Sequence, residues 1–147
     1  MGVEQVSFDE LLAQSDMISV HTPLMPSTYH MFSTEQFAKM KKGAVIVNTS
    51  RGGVIDTEAM LDALDAGTLA GAGLDVNEYE PLTDLSNRMF SYDSIIFTPH
   101  SATESLEYFD TLAEKVAKTA ISVLNGELPA NVINRKGILE YRAKSKE

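Results

Sequence analysis

Short apolar segments of strand length alternate along this chain with longer amphipathic segments of helix length. The pattern is clearest in the middle of the chain, where the β-branched run at residues 44–47 predicts a buried strand. Asp56 can cap the helix predicted at residues 57–66, and Gly67 can end it. Two parallel strands need such a crossover connection, so a repeated strand–helix–strand order with short loops predicts a parallel α/β sheet.

Three more strands fit the same order, at residues 17–21, 69–76 and 94–98. Helices are predicted to start where Ser is followed three residues later by Glu or Gln, because each side chain can then bond the other residue's backbone amide. This spacing occurs at Ser7, Ser33 and Ser101, and the last of these begins a long amphipathic helix at residues 104–125. The charged end of the chain, residues 135–147, is expected to be irregular.

The composition narrows the class of protein. With 44% hydrophobic and 22% charged residues among 147, the chain is expected to form one soluble globular domain. A formal net charge of -9 argues against nucleic acid or an anionic membrane as a partner. The absence of cysteine excludes disulfides and thiolate metal ligands, and no metal site is predicted. No apolar run approaches a membrane span and no secretory signal opens the sequence, so a cytoplasmic location is the default expectation.

Three side chains suited to acid–base or anion chemistry follow the predicted strands. Arg51, Glu80 and His100 each come after a different strand. Because the carboxyl ends of parallel strands lie at one edge of a sheet, where ligands bind in open α/β folds, we expect the three residues to converge. Each also has a plain structural reading: a solvated arginine in a tight turn, one more solvated acid, and a histidine satisfied at a helix start.

Together the three side chains fit the chemistry of 2-hydroxy acids. Histidine can give and take a proton near neutral pH, and a carboxylate beside it stabilises the charged imidazolium ring. Arginine can bind a substrate carboxylate through two parallel hydrogen bonds and polarise an adjacent carbonyl group. The set therefore suits oxidation of a 2-hydroxy acid, or reduction of a 2-keto acid, with a cofactor that carries the hydride.

The order and spacing of four motifs resemble the D-2-hydroxyacid dehydrogenase family, which includes enzymes for phosphoglycerate, glycerate, D-lactate and hydroxypyruvate. The resemblance covers residues 7–134. The matching stretches are His-Thr-Pro-Leu at 21–24 with Thr28, Met-Lys-Lys-Gly-Ala at 40–44 followed by Asn-Thr-Ser-Arg-Gly-Gly-Val-Ile-Asp at 48–56, Ala-Gly-Ala-Gly-Leu-Asp-Val at 70–76 followed by Glu80-Pro81, and Thr-Pro-His at 98–100. The resemblance implies an α/β fold: the second half of a doubly wound parallel-sheet (Rossmann-type) dinucleotide-binding domain, in three α/β/α layers.

The resemblance also implies roles for single residues. Arg51 would hold the substrate carboxylate and carbonyl, His100 would exchange the proton, and Glu80 would pair with His100. The cofactor would be NAD, with NADP not excluded, and the substrate a small 2-hydroxy or 2-keto acid. The residues that the resemblance places along the cofactor are Thr22, Pro23, Thr28, Thr49, Ser50, Arg51, Asp75, His100 and Ala102.

Other features of the family are absent from this sequence. It has no Gly-x-Gly-x-x-Gly turn after a strand, no acidic residue to select NAD over NADP, and no separate substrate-binding domain. We therefore expect a fragment, inactive alone. Residues 1–126 would form a partial NAD-binding domain including the long helix, and residues 127–147 a tail toward the substrate domain. The strand at 17–21 would lack its neighbour and form an open edge, which favours a homodimer.

A second functional class remains open. Dehydrogenase-like transcriptional corepressors resemble the same family, and in them the fold serves as a binding or assembly module. The presence of Arg51, Glu80 and His100 does not separate the two classes, because such corepressors can keep these residues.

Overall fold

The computed structural model describes residues 2–101 and 103–144, which fall in two compact units, Met1–Ala102 and Thr103–Glu147. The first unit contains a sheet of four parallel strands in the spatial order β1 (Met17–Val20), β2 (Ala44–Asn48), β3 (Leu69–Leu74) and β4 (Ile95–Phe97). Helix α1 (Phe8–Gln14) precedes β1 in the chain. The helices α2 (Thr34–Lys39) and α3 (Thr57–Asp65) and two 3₁₀ helices, Gly52–Val54 and Arg88–Ser91, lie between successive strands. The predicted α/β class and parallel strand order are confirmed.

The helices of the first unit begin where local side chains satisfy their first amides. The Glu10 amide donates to Ser7 Oγ at 3.3 Å, and the Ser7 amide donates to Glu10 Oε2 at 2.9 Å. At α3, Asp56 Oδ1 accepts from the Ala59 amide at 3.1 Å. These observed bonds confirm the two predicted helix starts. Such starts can be predicted because the first amides of a helix need an acceptor, and a side chain nearby in sequence can provide it independently of the rest of the fold.

One face of the sheet carries the core. Ile18, Ile46, Ala72 and Ile95 lie side by side across the four strands, and all are buried. They pack in one cluster with the inward side chains of the three helices, among them Leu12, Phe37, Met60 and Leu61. On the other face, Met17 is 63% exposed. Among the residues that the structure describes, strand β1 pairs only with β2, and it is therefore an edge of the sheet, as expected.

The second unit contains the helices α4 (Leu106–Leu124) and α5 (Arg135–Lys144). The capping box predicted at Ser101 is wrong: Ser105 caps α4, its Oγ accepting from the Tyr108 amide at 3.1 Å. The prediction of an irregular tail is also wrong for Arg135–Lys144. Arg142 Nη1 donates to the Gly126 carbonyl at 2.9 Å, a contact that the local pattern does not reveal. No helix in the described ranges is both long and apolar enough to cross a bilayer.

Candidate active site

The turn that follows β2 presents Arg51 to solvent. The last residue of β2, Asn48, is buried and organises this turn with both ends of its amide. Its Oδ1 accepts from the Ser50 amide at 3.0 Å, and its Nδ2 donates to the Arg51 carbonyl at 2.9 Å. The backbone of Arg51 is therefore held from inside, while its guanidinium is exposed and donates to the Ser50 carbonyl at 2.7 Å. Such a guanidinium can turn to an anionic ligand at little cost.

The same turn rests directly on the loop that follows β3. A Cβ added at Gly52 would lie 2.0 Å from both the carbonyl carbon and oxygen of Asn77 and 2.4 Å from the Glu78 nitrogen. Only glycine permits so close an approach between two backbones. The turn with Arg51 and the loop with Glu80 are thus in contact through their main chains.

Glu80 and His100 form the pair that the sequence predicts. His100 Nδ1 lies 3.0 Å from Glu80 Oε2, and Glu80 Oε1 accepts from the Asn77 amide at 2.7 Å. Burial raises the pKa of Glu80, but the hydrogen bonds from Asn77 and His100, with the charges of His100 and Arg51, outweigh it and leave the pKa lowered. Glu80 is therefore an ionised acceptor that holds one ring nitrogen of His100 and leaves Nε2 for a ligand.

Asp75 supports the backbone on both sides of His100. Its Oδ1 accepts from the Thr98 hydroxyl and, at 3.2 Å, from the Ser101 amide. The hydrogen bond from Thr98 lowers the pKa of Asp75, and the Ser101 amide and the charge of His100 lower it further. Burial raises this pKa, but the lowering contributions outweigh it. His100 has a φ of 54°, in the left-handed region that non-glycine residues seldom adopt. These contacts hold the histidine in that conformation.

Two cavities contain most of the predicted site residues. The first, of about 690 Å³, is lined by Asp75, Asn77, Glu80, Thr98, Pro99, His100 and the apolar Pro81, Leu82, Phe90 and Phe97. The second, of about 710 Å³, is lined by His21, Thr22, Pro23, Leu24, Thr49, Ser50 and Arg51. Both are formed by loops at the carboxyl ends of the strands, as expected for this fold class.

The remaining predicted cofactor residues have different positions. Thr28 braces the loop after β1 instead of lining the second cavity: its hydroxyl donates to the Pro23 carbonyl at 2.6 Å and accepts from the Met25 amide at 2.8 Å. Ala102 lies outside the described residues. Thr22 Oγ1 is buried and, within the described part of the chain, has no hydrogen-bond partner. A free hydroxyl beside an open cavity fits a polar cofactor.

Some residues that shape the site escape sequence reasoning. Asn48 and Gly52 lie in a predicted motif, but their contacts depend on how two loops pack. Glu78 and His30 were not singled out, although their side chains meet at 2.7 Å, 48 residues apart in sequence. In the run Glu-Tyr-Glu, only Glu80, which Pro81 follows, belongs to a motif of the family, and the sequence holds no signal for the contacts of Glu78.

Comparison with known proteins agrees with this geometry. A glyoxylate reductase of Korarchaeum cryptofilum is 43% identical over 136 residues, which are 92% of this chain and 41% of that protein. D-3-phosphoglycerate dehydrogenase 2, chloroplastic, of Arabidopsis thaliana is 40% identical over 91% of this chain and 21% of its own length. The NAD complexed form of a D-isomer specific 2-hydroxyacid dehydrogenase from Lactobacillus delbrueckii ssp. bulgaricus superposes with a TM-score of 0.76 and 31% identity, covering 87% of this chain and 43% of that one.

The chain thus spans less than half of the length of each of these relatives. Residues 1–102 match the family described as D-isomer specific 2-hydroxyacid dehydrogenase, NAD binding domain. This match covers the whole sheet and every residue of the two cavities. The chain belongs to the NAD-binding domain family of the D-isomer specific 2-hydroxyacid dehydrogenases.

Proposed function

We propose that the protein carrying this chain interconverts a small D-2-hydroxy acid and its 2-keto acid with NAD. The observation that carries the proposal is the hydrogen bond of 3.0 Å between His100 Nδ1 and Glu80 Oε2 in an open cavity at the carboxyl ends of the strands. Arg51 lies near enough for its charge to lower the pKa of Glu80, so a proton-exchanging pair and an anion-binding group occur together.

His100 is the group that exchanges the proton. In the reducing direction its Nε2–H donates the proton that the carbonyl oxygen of the 2-keto acid takes up, and in the oxidising direction Nε2 accepts the hydroxyl proton. Glu80 accepts from Nδ1–H, which fixes the ring orientation and stabilises the positive charge while the ring holds both protons. The Asn77 amide keeps Glu80 in place at 2.7 Å.

Arg51 provides the substrate anchor. Its planar guanidinium suits a carboxylate through two parallel hydrogen bonds and can polarise the neighbouring carbonyl oxygen. Because the Arg51 carbonyl is held by Asn48, only the side chain needs to move when a ligand binds. Binding both ends of the substrate's carboxyl–carbonyl unit orients it for the proton exchange.

The residues that would hold the cofactor line the second cavity and adjoin the first. They are Thr22, Pro23, Thr49, Ser50 and Arg51 at the second cavity, Asp75 and His100 at the first, with Thr28 and Ala102 as further candidates. Bound NAD supplies or accepts the hydride at the substrate carbon. The free Thr22 hydroxyl supports a polar ligand at this position. NADP remains an alternative.

The test is a chimera of the Korarchaeum cryptofilum glyoxylate reductase in which this chain replaces the matching segment. The chimera should oxidise NADH with glyoxylate or a related 2-keto acid. His100→Ala should lower turnover on the order of 10² to 10⁴-fold, the usual contribution of a positioned acid–base group. Arg51→Lys should chiefly raise KM, because a point charge replaces a planar fork.

The matched control is Arg88→Lys, since Arg88 is tied to the surface acids Asp62 and Asp65 instead of the cavity. Equal turnover of His100→Ala and the parent chimera contradicts the proposal. A folded but inactive chimera favours the alternative, a corepressor-like binding or assembly module. The homodimer and the cytoplasmic location expected from the sequence stay predictions.

A further inference from the structure

A second acid, Glu78, has partners on two segments beside the site, the loop with Tyr29 and His30 and the start of α3 at Thr57. Its side chain is only 9% exposed. Oε1 lies 2.7 Å from His30 Nε2 and accepts from the Tyr29 hydroxyl at 3.4 Å. Oε2 accepts from the Thr57 amide at 3.3 Å. A carboxylate that is removed from water needs such partners. Burial raises the pKa of Glu78, but the hydrogen bonds from His30 and Thr57 outweigh burial, so the pKa is lowered overall.

His30 also connects its loop to the turn of Arg51, through its backbone. Its amide donates to the Gly53 carbonyl at 2.9 Å, next to Gly52 in the turn of Arg51. Its φ of 49° lies in the left-handed region, and its ring stacks on Tyr29 at a centroid distance of 3.9 Å. A conformation of this kind persists only where surrounding contacts hold it. His30 is therefore bound at its backbone to the turn of Arg51 and at its ring to Glu78.

The contacts of Glu78 exceed those needed to cap a helix. Asp56 already caps α3 through the Ala59 amide at 3.1 Å. Glu78 bonds the neighbouring Thr57 amide from a different loop, and its own backbone nitrogen lies in the close contact with Gly52. Two residues further on, Glu80 pairs with His100. A shift of Glu78 would therefore change the spacing between Arg51 and the acid–base pair.

We propose that Glu78 and His30 are positioning residues, which set the distance between the turn carrying Arg51 and the loop carrying Glu80. The expected effect on catalysis rests on the function proposed above. The effect on the distance between the two loops does not depend on any activity. Neither side chain lines the cavity that contains Glu80 and His100 or the one that contains Arg51, so both act through the groups that do.

Amide hydrogen exchange of the whole chain, measured by NMR at single residues, tests the geometric part. The Asn77 amide donates to Glu80 Oε1 and the Ile55 amide to the Gly52 carbonyl, so these two amides report the placement of Glu80 and of the Arg51 turn. The Ile46 amide, in central strand β2, reports global stability. The variants are Glu78→Gln, which keeps the size of the side chain, and His30→Asn, because Asn tolerates a positive φ.

Exchange at Asn77 and Ile55 should become roughly tenfold faster in both variants, since a charge-assisted hydrogen bond is lost, with little change at Ile46. Glu58→Gln is the matched control, because Glu58 is an acid at the start of α3 with a side chain 74% exposed. Unchanged exchange at Asn77 and Ile55 overturns the proposal. An equal acceleration at all three amides also overturns it, because that is the mark of general destabilisation.

The chimera tests the catalytic part. Glu78→Gln should lower kcat on the order of tenfold to 10²-fold, the range expected when catalytic groups are displaced by about an ångström. An unaltered kcat and KM, with the exchange effect present, would mean that the contact is only structural and would overturn the positioning role. Failure of the proposed function is recognised separately: the chimera would then be folded but inactive, or His100→Ala would leave its activity intact, whatever the exchange rates at Asn77 and Ile55.

Discussion

Replacing Gly52 by alanine should separate the two loops that carry Arg51 and Glu80. The new Cβ would lie 2.0 Å from the Asn77 carbonyl carbon and oxygen, whereas ordinary van der Waals contact begins near 3.4 Å. The backbones must therefore move apart by more than an ångström at this point. Neither side can yield by rotating a side chain, because both contacting groups are main chain.

The size of the effect follows from two opposing contributions. Overpacking at a close contact typically destabilises by about 1–3 kcal/mol. Alanine restricts the unfolded chain more than glycine does, which stabilises by about 0.4–1 kcal/mol. We expect a net loss of about 1–2 kcal/mol in the free energy of unfolding in a urea titration. In the chimera, a displacement of an ångström should lower kcat/KM on the order of 10²-fold.

Gly73→Ala is the matched control. At that position the added Cβ would meet the Val47 methyl groups at 3.6 Å, which is ordinary contact. The control should stay within about 0.5 kcal/mol of the parent chain. The reasoning would be refuted if Gly52→Ala unfolds like the parent and its amide NMR shifts at Asn77 and Glu78 are unchanged.

Three further predictions concern pH, cofactor and assembly. Glu78 and Glu80 have pKa values lowered by folding, so the stability they contribute is complete above their ordinary value of 4.5 and is lost as the pH falls through the lowered values. Glu78→Gln should therefore flatten the loss of stability below pH 4.5 in urea titrations, and an identical pH slope would contradict this. The chain alone should bind NAD weakly, because pyrophosphate binding needs a glycine turn at a helix N-terminus that this sequence lacks; micromolar affinity by calorimetry would disprove it. Because β1 is a sheet edge and Met17 is 63% exposed, the chain should form a dimer, burying more than ~1,000 Å², which Met17→Lys weakens. Sedimentation that finds only monomer in the parent chain at micromolar concentration would exclude it.

The elements that were predicted correctly depend on local chemistry. Ser7 and Glu10 bond each other's amides as their spacing predicts, and no distant residue is needed for that. The error at Ser101 has a long-range cause. The Ser101 amide donates to Asp75 Oδ1, 26 residues away. In a capping box the glutamate side chain would accept from this amide, so the pattern Ser-x-x-Glu is present but its amide already has a partner in the site. Helix α4 then begins at the next serine, Ser105, whose hydroxyl is free to cap it.

The candidate site shows the same division. The approach of Glu80 to His100 could be predicted, because the strand order alone brings the ends of β3 and β4 together. The roles of Asn48 and Glu78 could not, since each depends on which polar group of a neighbouring loop comes within reach. Loop packing depends on tertiary contacts, and the hydrophobic periodicity of strands (two residues) and helices (3.6 residues) carries no information about such contacts.

The residues that would perform the chemistry are each held by a polar contact from another residue at the carboxyl ends of the strands. Asn48 holds the Arg51 backbone, the Asn77 amide holds Glu80, and Asp75 holds the backbone that flanks His100. Because these contacts hold loop segments and add nothing to the apolar core, losing one should leave the sheet folded while the catalytic spacing changes. A site built in this way loses geometry before it loses stability, and exchange rates at its loop amides should therefore respond to substitutions that barely change the free energy of unfolding.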